Sequence, residues 1–122
     1  MSRFRPERVA EQIHKEVTRL LMEQVKDPRV VDVTLSEVKV SRDISYATLY
    51  YTVTDEQTDH TEVARGLKSI EPFLRHEIGR LIQLRQVPEL RFKYDSSVAY
   101  GRKIDALLRH VQNDLDDDET DR

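Results

Sequence analysis

Cysteine and tryptophan are absent from this chain, and glycine occurs only three times. Without cysteine there is no disulfide framework, thiol nucleophile or thiolate zinc site. This composition fits a reducing compartment. The four histidines, His14, His60, His76 and His110, are scattered without metal-ligand spacing, so no metal or other cofactor is expected. No apolar run approaches the ~20 residues of a spanning helix. The basic start Met1-Ser2-Arg3-Phe4-Arg5-Pro6 is not followed by the apolar segment of a secretory signal. The expectation is a soluble, cytoplasmic protein with no membrane partner. No internal repeat is visible.

What is present is a lean core under a charged surface. Of 122 residues, 38% are hydrophobic and 35% charged, which suggests one domain. A chain of this size buries roughly two-thirds of its unfolded surface. The net charge of −3 hides an asymmetry. Residues 65–112 carry 10 Lys/Arg against 5 Asp/Glu, whereas residues 113–122 carry 1 against 6. A basic segment is therefore masked by an acidic tail. The division expected is a single domain over 1–112 and an acidic, disordered tail over 113–122.

Val9, Ile13, Val17, Leu20, Leu21 and Val25 recur with the helical period. With Pro6 near the start and Lys26-Asp27-Pro28-Arg29 at the end, they predict a helix over 6–26. Val31, Val33 and Leu35 alternate, then Val38 and Val40 do so in a shifted phase. The slip at Ser36-Glu37 predicts a β-bulge. Ser41-Arg42-Asp43 reads as a hairpin turn into a strand over 44–53. Two strands this close in sequence pair antiparallel. Thr58 or Asp59 caps a second helix with Val63, Leu67 and Ile70 on its stripe, resumed beyond Pro72 at Leu74, Ile78, Leu81 and Ile82. Pro72 predicts two helices meeting at a kink near 69–72. Pro88 opens a third strand with Leu90, Phe92 and Tyr94 inward and Glu89, Arg91 and Lys93 outward. Asp95 or Ser96 caps a short last helix carrying Ile104, Leu107, Leu108 and Val111, the first three expected in the core. The fold class expected is α+β: helix, strand, strand, helix–kink–helix, strand, with helices packed on one face of a three-stranded sheet.

This order is that of a type II KH domain, and over residues 5–108 the sequence resembles the ribosome-binding factor A family. The resemblance rests on Arg8-Val9-Ala10, Lys26-Asp27-Pro28-Arg29, Val38 with Ser41-Arg42-Asp43 and Tyr46-Ala47, and Phe73-Leu74-Arg75 with Ile78-Gly79. It continues through Leu84-Arg85, Val87-Pro88-Glu89-Leu90, Phe92, Tyr94-Asp95, Ser97 and Gly101. It implies a non-enzymatic, cold-prominent factor that binds the free or immature 30S subunit and 16S rRNA. Its work would be late small-subunit assembly, including 5′-end processing. It leaves room for a ribosome-assembly GTPase as a further partner and implies a monomer off the ribosome. One departure stands out. KH domains usually carry Gly-x-x-Gly between the paired helices and this family Ala-x-Gly, whereas this chain has Ile70-Glu71-Pro72 at the interhelical kink. Proline lacks an N–H, and Glu71 repels phosphate. RNA contact is therefore not expected at the kink itself.

The candidate RNA-binding face is built from Arg75 and Arg80 on the second half of the paired helix, extended by Arg85 and by Arg91 and Lys93 on the strand. Guanidinium forks suit phosphate. Gly79 leaves a gap on this face for another backbone. Lys68 and Arg65 lie on the first half, with Glu62 three residues before Arg65 as a partner. Arg3, Arg5 and Arg8 form an N-terminal arm that either folds onto rRNA or frays. Arg42 either anchors RNA or, the preferred alternative, pairs with Asp43 or caps a carbonyl. Arg102 and Lys103 join near the strand end. Tyr46 and Tyr50 share a strand face and either stack bases or, as favoured here, pack beneath a helix. The acidic residues 113–122 are expected to compete with rRNA phosphates for the basic face. The competing class of function is a KH-like protein–protein adaptor without RNA binding. A hydrolase has only Asp95-Ser96-Ser97 behind it, and helix capping explains those residues more simply.

Overall fold

The computed structural model describes residues 5–55 and 57–120, with backbone alone at 98, 99, 102 and 112–120. Helix α1 spans Pro6–Glu23 and buries Val9, Ala10, Ile13, Val17 and Leu20. It stops three residues before the end expected at 26. The N–H groups of Gln24 and Val25 both donate to the Leu20 carbonyl at 2.9 Å, closing the last turn as Asp27 diverts the chain. The Asp27 carboxylate accepts from the Arg29 N–H at 2.9 Å and pairs with its guanidinium at 2.6 Å. It thereby caps a 3₁₀ turn over Pro28–Val30. This turn buries Val30 and leaves Val31 76% exposed, so Val31 does not belong to the inward alternation expected of it.

Strand β1 is Val33–Val40 and β2 is Tyr46–Val53, paired antiparallel with a register shift between Leu35 and Glu37. The expected bulge is present. Its Ser36 hydroxyl donates to an Asp95 carboxylate oxygen at 2.7 Å. Between the strands, the Ser41 hydroxyl accepts from the N–H groups of Ser45 and Tyr46. Asp43 accepts from the Ser45 N–H and hydroxyl and from the Ser41 hydroxyl. These donors, Ser45 first, hold the Asp43 carboxyl below the usual range. Ile44 sits at φ 60°, a region that β-branched residues rarely adopt. That is why β2 begins at Tyr46 rather than 44. Ile44 is held there by packing against the core.

Helix α2 is His60–Leu81, capped by Asp59, and it runs unbroken through Pro72. The two helices and kink expected are therefore one hydrogen-bonded helix. At 100° per residue, Val63, Leu67, Leu74 and Ile78 fall on one continuous stripe and Pro72 on the opposite side. The carbonyl that loses its donor, that of Lys68, consequently points to the exposed face, where water can replace the bond. Buried leucines and isoleucines on both sides, each contributing roughly 1.5–3 kcal/mol, outweigh the ~3 kcal/mol cost of the proline. Leu81, expected on this stripe, is 37% exposed because the helix ends there.

Strand β3, Glu89–Tyr94, pairs parallel with β2, giving the order β1-β2-β3. α1 packs over β1, and α2 packs over β3 and α1. The core lies between these helices and the sheet face formed by Leu35, Val38, Ala47, Leu49, Tyr51 and Leu90. Burial raises the Tyr51 hydroxyl pKa above its ordinary value, and neighbouring Tyr94 adds to this. Helix α3, Ser96–Thr120, is much longer than the short helix expected, and its backbone stays helical into the acidic run. Asp95 accepts from the Ser97 N–H at 3.0 Å, the cap that the sequence predicts. Ile104 is half-buried, but Leu107, Leu108 and Val111 are exposed and are not core. A 25-residue helix is about 37 Å long and an eight-residue strand about 26 Å. α3 is longer than any strand of the sheet; it touches β2 and half-buries Ile104, while Leu107, Leu108 and Val111 stay exposed.

Candidate nucleic-acid interface

The outward side of α2 and the loop before β3 enclose two adjoining grooves. The first, about 650 Å³, runs between α2 and the edge strand β3, lined by Lys68, Glu71 and Arg75, with Tyr46, Gln86 and Phe92 opposite. The second, about 830 Å³, lies over the end of α2, among Pro72, Arg75, His76, Arg80 and Val87. Glu71, Arg75 and Gln86 line both. Arg75 forms the ridge between them, and its guanidinium donates to the Val87 carbonyl at 3.1 Å. That bond ties the loop to the helix and fixes the shape of both grooves.

At 100° per residue, Lys68 and Arg75 lie within about 20° of each other on the flank of α2 that borders the first groove, and Arg80 lies about 140° from Arg75 around the helix, at the second. Arg80 is not a bare cation. It pairs with Glu77 at 2.7 Å, and Glu77 is largely buried behind it. Arg65 pairs with Glu62 at 3.0 Å, the partner anticipated. Lys68 and Arg85 are exposed and hold no ion pair among the described contacts. The gap expected at Gly79 is filled from within, since a Cβ there would lie 2.9 Å from the Val87 side chain. Of the Ile70-Glu71-Pro72 segment, Ile70 packs on the core, Glu71 reaches both grooves, and Pro72 lines the second. Glu71 is thus an acidic group set into an otherwise basic wall.

Arg91 and Lys93 do not extend this wall. Strand alternation turns Leu90 and Phe92 toward α2 and sends Arg91 and Lys93 to the far face of the sheet. The single helix–strand face expected from sequence is therefore two surfaces meeting at the β3 edge. On the far face, Tyr46 is 42% exposed, and the Arg91 guanidinium lies 4.0 Å above its ring. Tyr46 is not packed beneath a helix, contrary to expectation. Tyr50 is half-buried, with the Lys39 ammonium 5.6 Å from its ring centre.

Arg5 is exposed at the cap of α1. Arg42 is exposed at the β1–β2 turn, and it forms no ion pair with Asp43, whose oxygens serve Ser41 and Ser45 instead. Lys103 is exposed on α3. Arg3 and the Arg102 side chain lie outside the described residues. Asp95 is engaged by Ser36 and Ser97, so the Asp95-Ser96-Ser97 fragment is a junction of bulge and helix cap. No cluster of metal-ligating side chains occurs among the described residues. Gln86, shared by both grooves, had no sequence signal of its own. It lies in a loop without periodicity, and only the fold brings it to α2.

Comparison with known proteins places these features in context. The family model described as ribosome-binding factor A matches residues 5–108. A protein named ribosome-binding factor A from Geobacter sulfurreducens is 45% identical over 115 residues, covering 94% of this chain and 98% of that protein. The crystal structure of ribosome-binding factor A from Thermus thermophilus superposes with a TM-score of 0.65 at 22% identity, over 73% of this chain and 93% of that one. A homology model of the Thermus thermophilus factor, fitted into a cryo-EM map of its complex with the 30S subunit, has a TM-score of 0.52 at 26% identity. It covers 67% of this chain and 90% of its own.

Proposed function

This chain belongs to the ribosome-binding factor A family, and from that membership we propose that it binds the free or immature 30S subunit through 16S rRNA. There it assists late assembly and 5′-end processing as a non-catalytic cytoplasmic factor. The observation that carries the reading is the family match across residues 5–108. The α2 wall supports it, with Lys68, Arg75 and Arg80 edging contiguous grooves and Arg85 exposed beside them. Phosphate contacts there fix register and orientation, and the grooves accept the shape of folded RNA. Arg5, Arg42, Lys103 and, by sequence, Arg3 and Arg102 supply peripheral positive charge. The factor works as a monomer off the ribosome, is prominent in the cold and is open to release by an assembly GTPase. Residues 113–122 compete with phosphate for the same charges, so a chain ending at residue 112 binds rRNA more tightly at low salt.

A second reading, a protein-binding adaptor, is favoured by the carboxylates on helix α2. Glu71 projects into both grooves, and Glu77 neutralises Arg80. Sucrose-gradient sedimentation of the tagged protein decides between partners. Co-migration with 30S particles and absence from 70S supports the proposal. A peak only at the top of the gradient, at low salt with immature subunits present, refutes it. Binding to 16S rRNA fragments then separates the readings, because an RNA binder loses roughly 10³-fold or more in affinity between about 50 and 200 mM salt if it makes several phosphate contacts.

A further inference from the structure

The face of the sheet turned away from α1 and α2 is composed differently from an ordinary solvated strand surface. Across its middle, Lys39, Thr48 and Arg91 are register partners on β1, β2 and β3. Tyr46 flanks this row on one side and Tyr50 on the other. Four residues along a strand separate the two rings by about 13 Å. Lys93 lies opposite Tyr50 on β3, and Glu37 opposite it on β1. Glu89 lies opposite Tyr46 and is bonded only loosely to Arg91, at 3.5 Å. Three cations thus face two carboxylates around two aromatic rings, and the Arg91 guanidinium provides a further flat surface above Tyr46.

We propose that this outer sheet face is a second RNA site, a stacking platform on which bases of a single strand rest on Tyr46, Arg91 and Tyr50 while Lys39 and Lys93 hold the flanking phosphates. The chemistry fits. Single-stranded RNA is recognised by splaying bases onto aromatic or guanidinium planes carried on a sheet. Such stacking tolerates sequence because every base has a π-face. Lysine is depleted from protein–protein interfaces, whereas lysine beside exposed rings is the pairing that a nucleic-acid backbone needs. The proposal takes its ligand class from the rRNA-binding reading and rests on it, but it uses the opposite face of the sheet, which meets the first α2 groove only along the edge at Tyr46 and Glu89. The folded RNA would be held by the grooves, and an adjoining unpaired segment by the sheet.

The test uses the full chain and a fluorescein-labelled adenylate RNA octamer, with polarisation measured at about 50 and 200 mM KCl. The Tyr46→Leu/Tyr50→Leu variant should weaken octamer binding at least about tenfold with its salt slope retained, because two stacking surfaces are removed. Lys39→Gln/Lys93→Gln should make the slope shallower, by roughly 0.7 for each phosphate no longer neutralised. Tyr46→Phe/Tyr50→Phe should keep the affinity while abolishing most of the quenching of tyrosine emission by the octamer, which is readable because tryptophan is absent. That variant decides the matter if the leucine pair disturbs folding. Wild-type affinity in a folded leucine variant, or quenching undiminished in the phenylalanine variant, overturns the platform, as does failure of wild type to bind the octamer. Co-sedimentation with 30S particles is scored separately. If the platform fails and co-sedimentation persists, the proposed function stands. If wild type does not co-sediment, that reading falls whatever the octamer does.

Discussion

The two faces of the β2–α2–β3 unit come from the same stretch of chain and obey different rules. Inward, Ala47, Leu49, Val63, Leu67, Leu74 and Ile78 are almost inaccessible, and every partner is another part of the protein. Outward, Tyr46, Lys68, Arg85, Arg91 and Lys93 are exposed, and their internal partners are few or weak. A family signature that runs along the strands therefore mixes two messages. Its alternate positions answer to packing and to the solvent-facing surface separately.

The contrast breaks most sharply at Leu74. Leu74→Ala should cost about 2–5 kcal/mol, read as a lower urea midpoint. The salt slope of RNA binding by the remaining folded protein should not change. Gly66→Ala is a milder test. Its new methyl would lie 2.8 Å from Val30 Cγ1 and 2.9 Å from Arg29 Cβ. Overpacking of this kind costs about 1–3 kcal/mol, offset by about 1 kcal/mol of helix propensity, so a net loss of about 1 kcal/mol should appear in thermal unfolding. A Tm at or above wild type would show that the turn yields easily.

Asp27 tests the same junction by pH. Its hydrogen bonds from the Arg29 side chain, then from the Arg29 N–H, hold its pKa down to about 2, from an ordinary 3.8. A depressed folded-state value contributes stability above the unfolded pKa and loses it as pH falls toward the folded one. The urea midpoint of wild type should exceed that of Asp27→Asn at pH 6, and the gap should close between about pH 4 and 2. A gap independent of pH would show that the ion pair is not its source. The smallest change in stability is expected outside. Lys68→Gln/Arg85→Gln should stay within about 0.5 kcal/mol while making the salt slope of rRNA binding shallower by about one unit per cation. An unchanged slope would remove these two residues from the interface.

Much of the inner face is legible in the sequence because burial is periodic. The α1 stripe, the phase slip at Ser36 and the alternation from Leu90 to Tyr94 all appear where the pattern puts them. The unbroken α2 is legible too, since Leu67 and Leu74 are seven residues apart on one stripe, but Pro72 reads as a stronger signal than the stripe it interrupts. Leu107, Leu108 and Val111 show the limit of periodicity. It identifies an apolar side of a helix, not whether anything lies against it. The turn at Ile44 is hidden because a β-branched residue signals strand, and its φ is held by core packing together with the Ser41 and Asp43 bonds around it. The outer surfaces are the least legible. Which cations share a face depends on strand register and the crossover, and Arg91 reads as part of α2's wall when alternation sends it to the other side.

The parallel pairing of β3 also orders events in time. The β1–β2 hairpin closes over a few residues, from Val40 opposite Ala47, whereas Tyr46 meets Glu89 only 43 positions later. Contacts so distant along the chain form slowly, after the loop between them has been drawn in. The hairpin and α1 therefore precede β3. The first groove has walls from both α2 and β3, and the middle row of the outer face needs Arg91. Neither surface is complete until the last strand has docked, so a growing chain lacks both through most of its own synthesis.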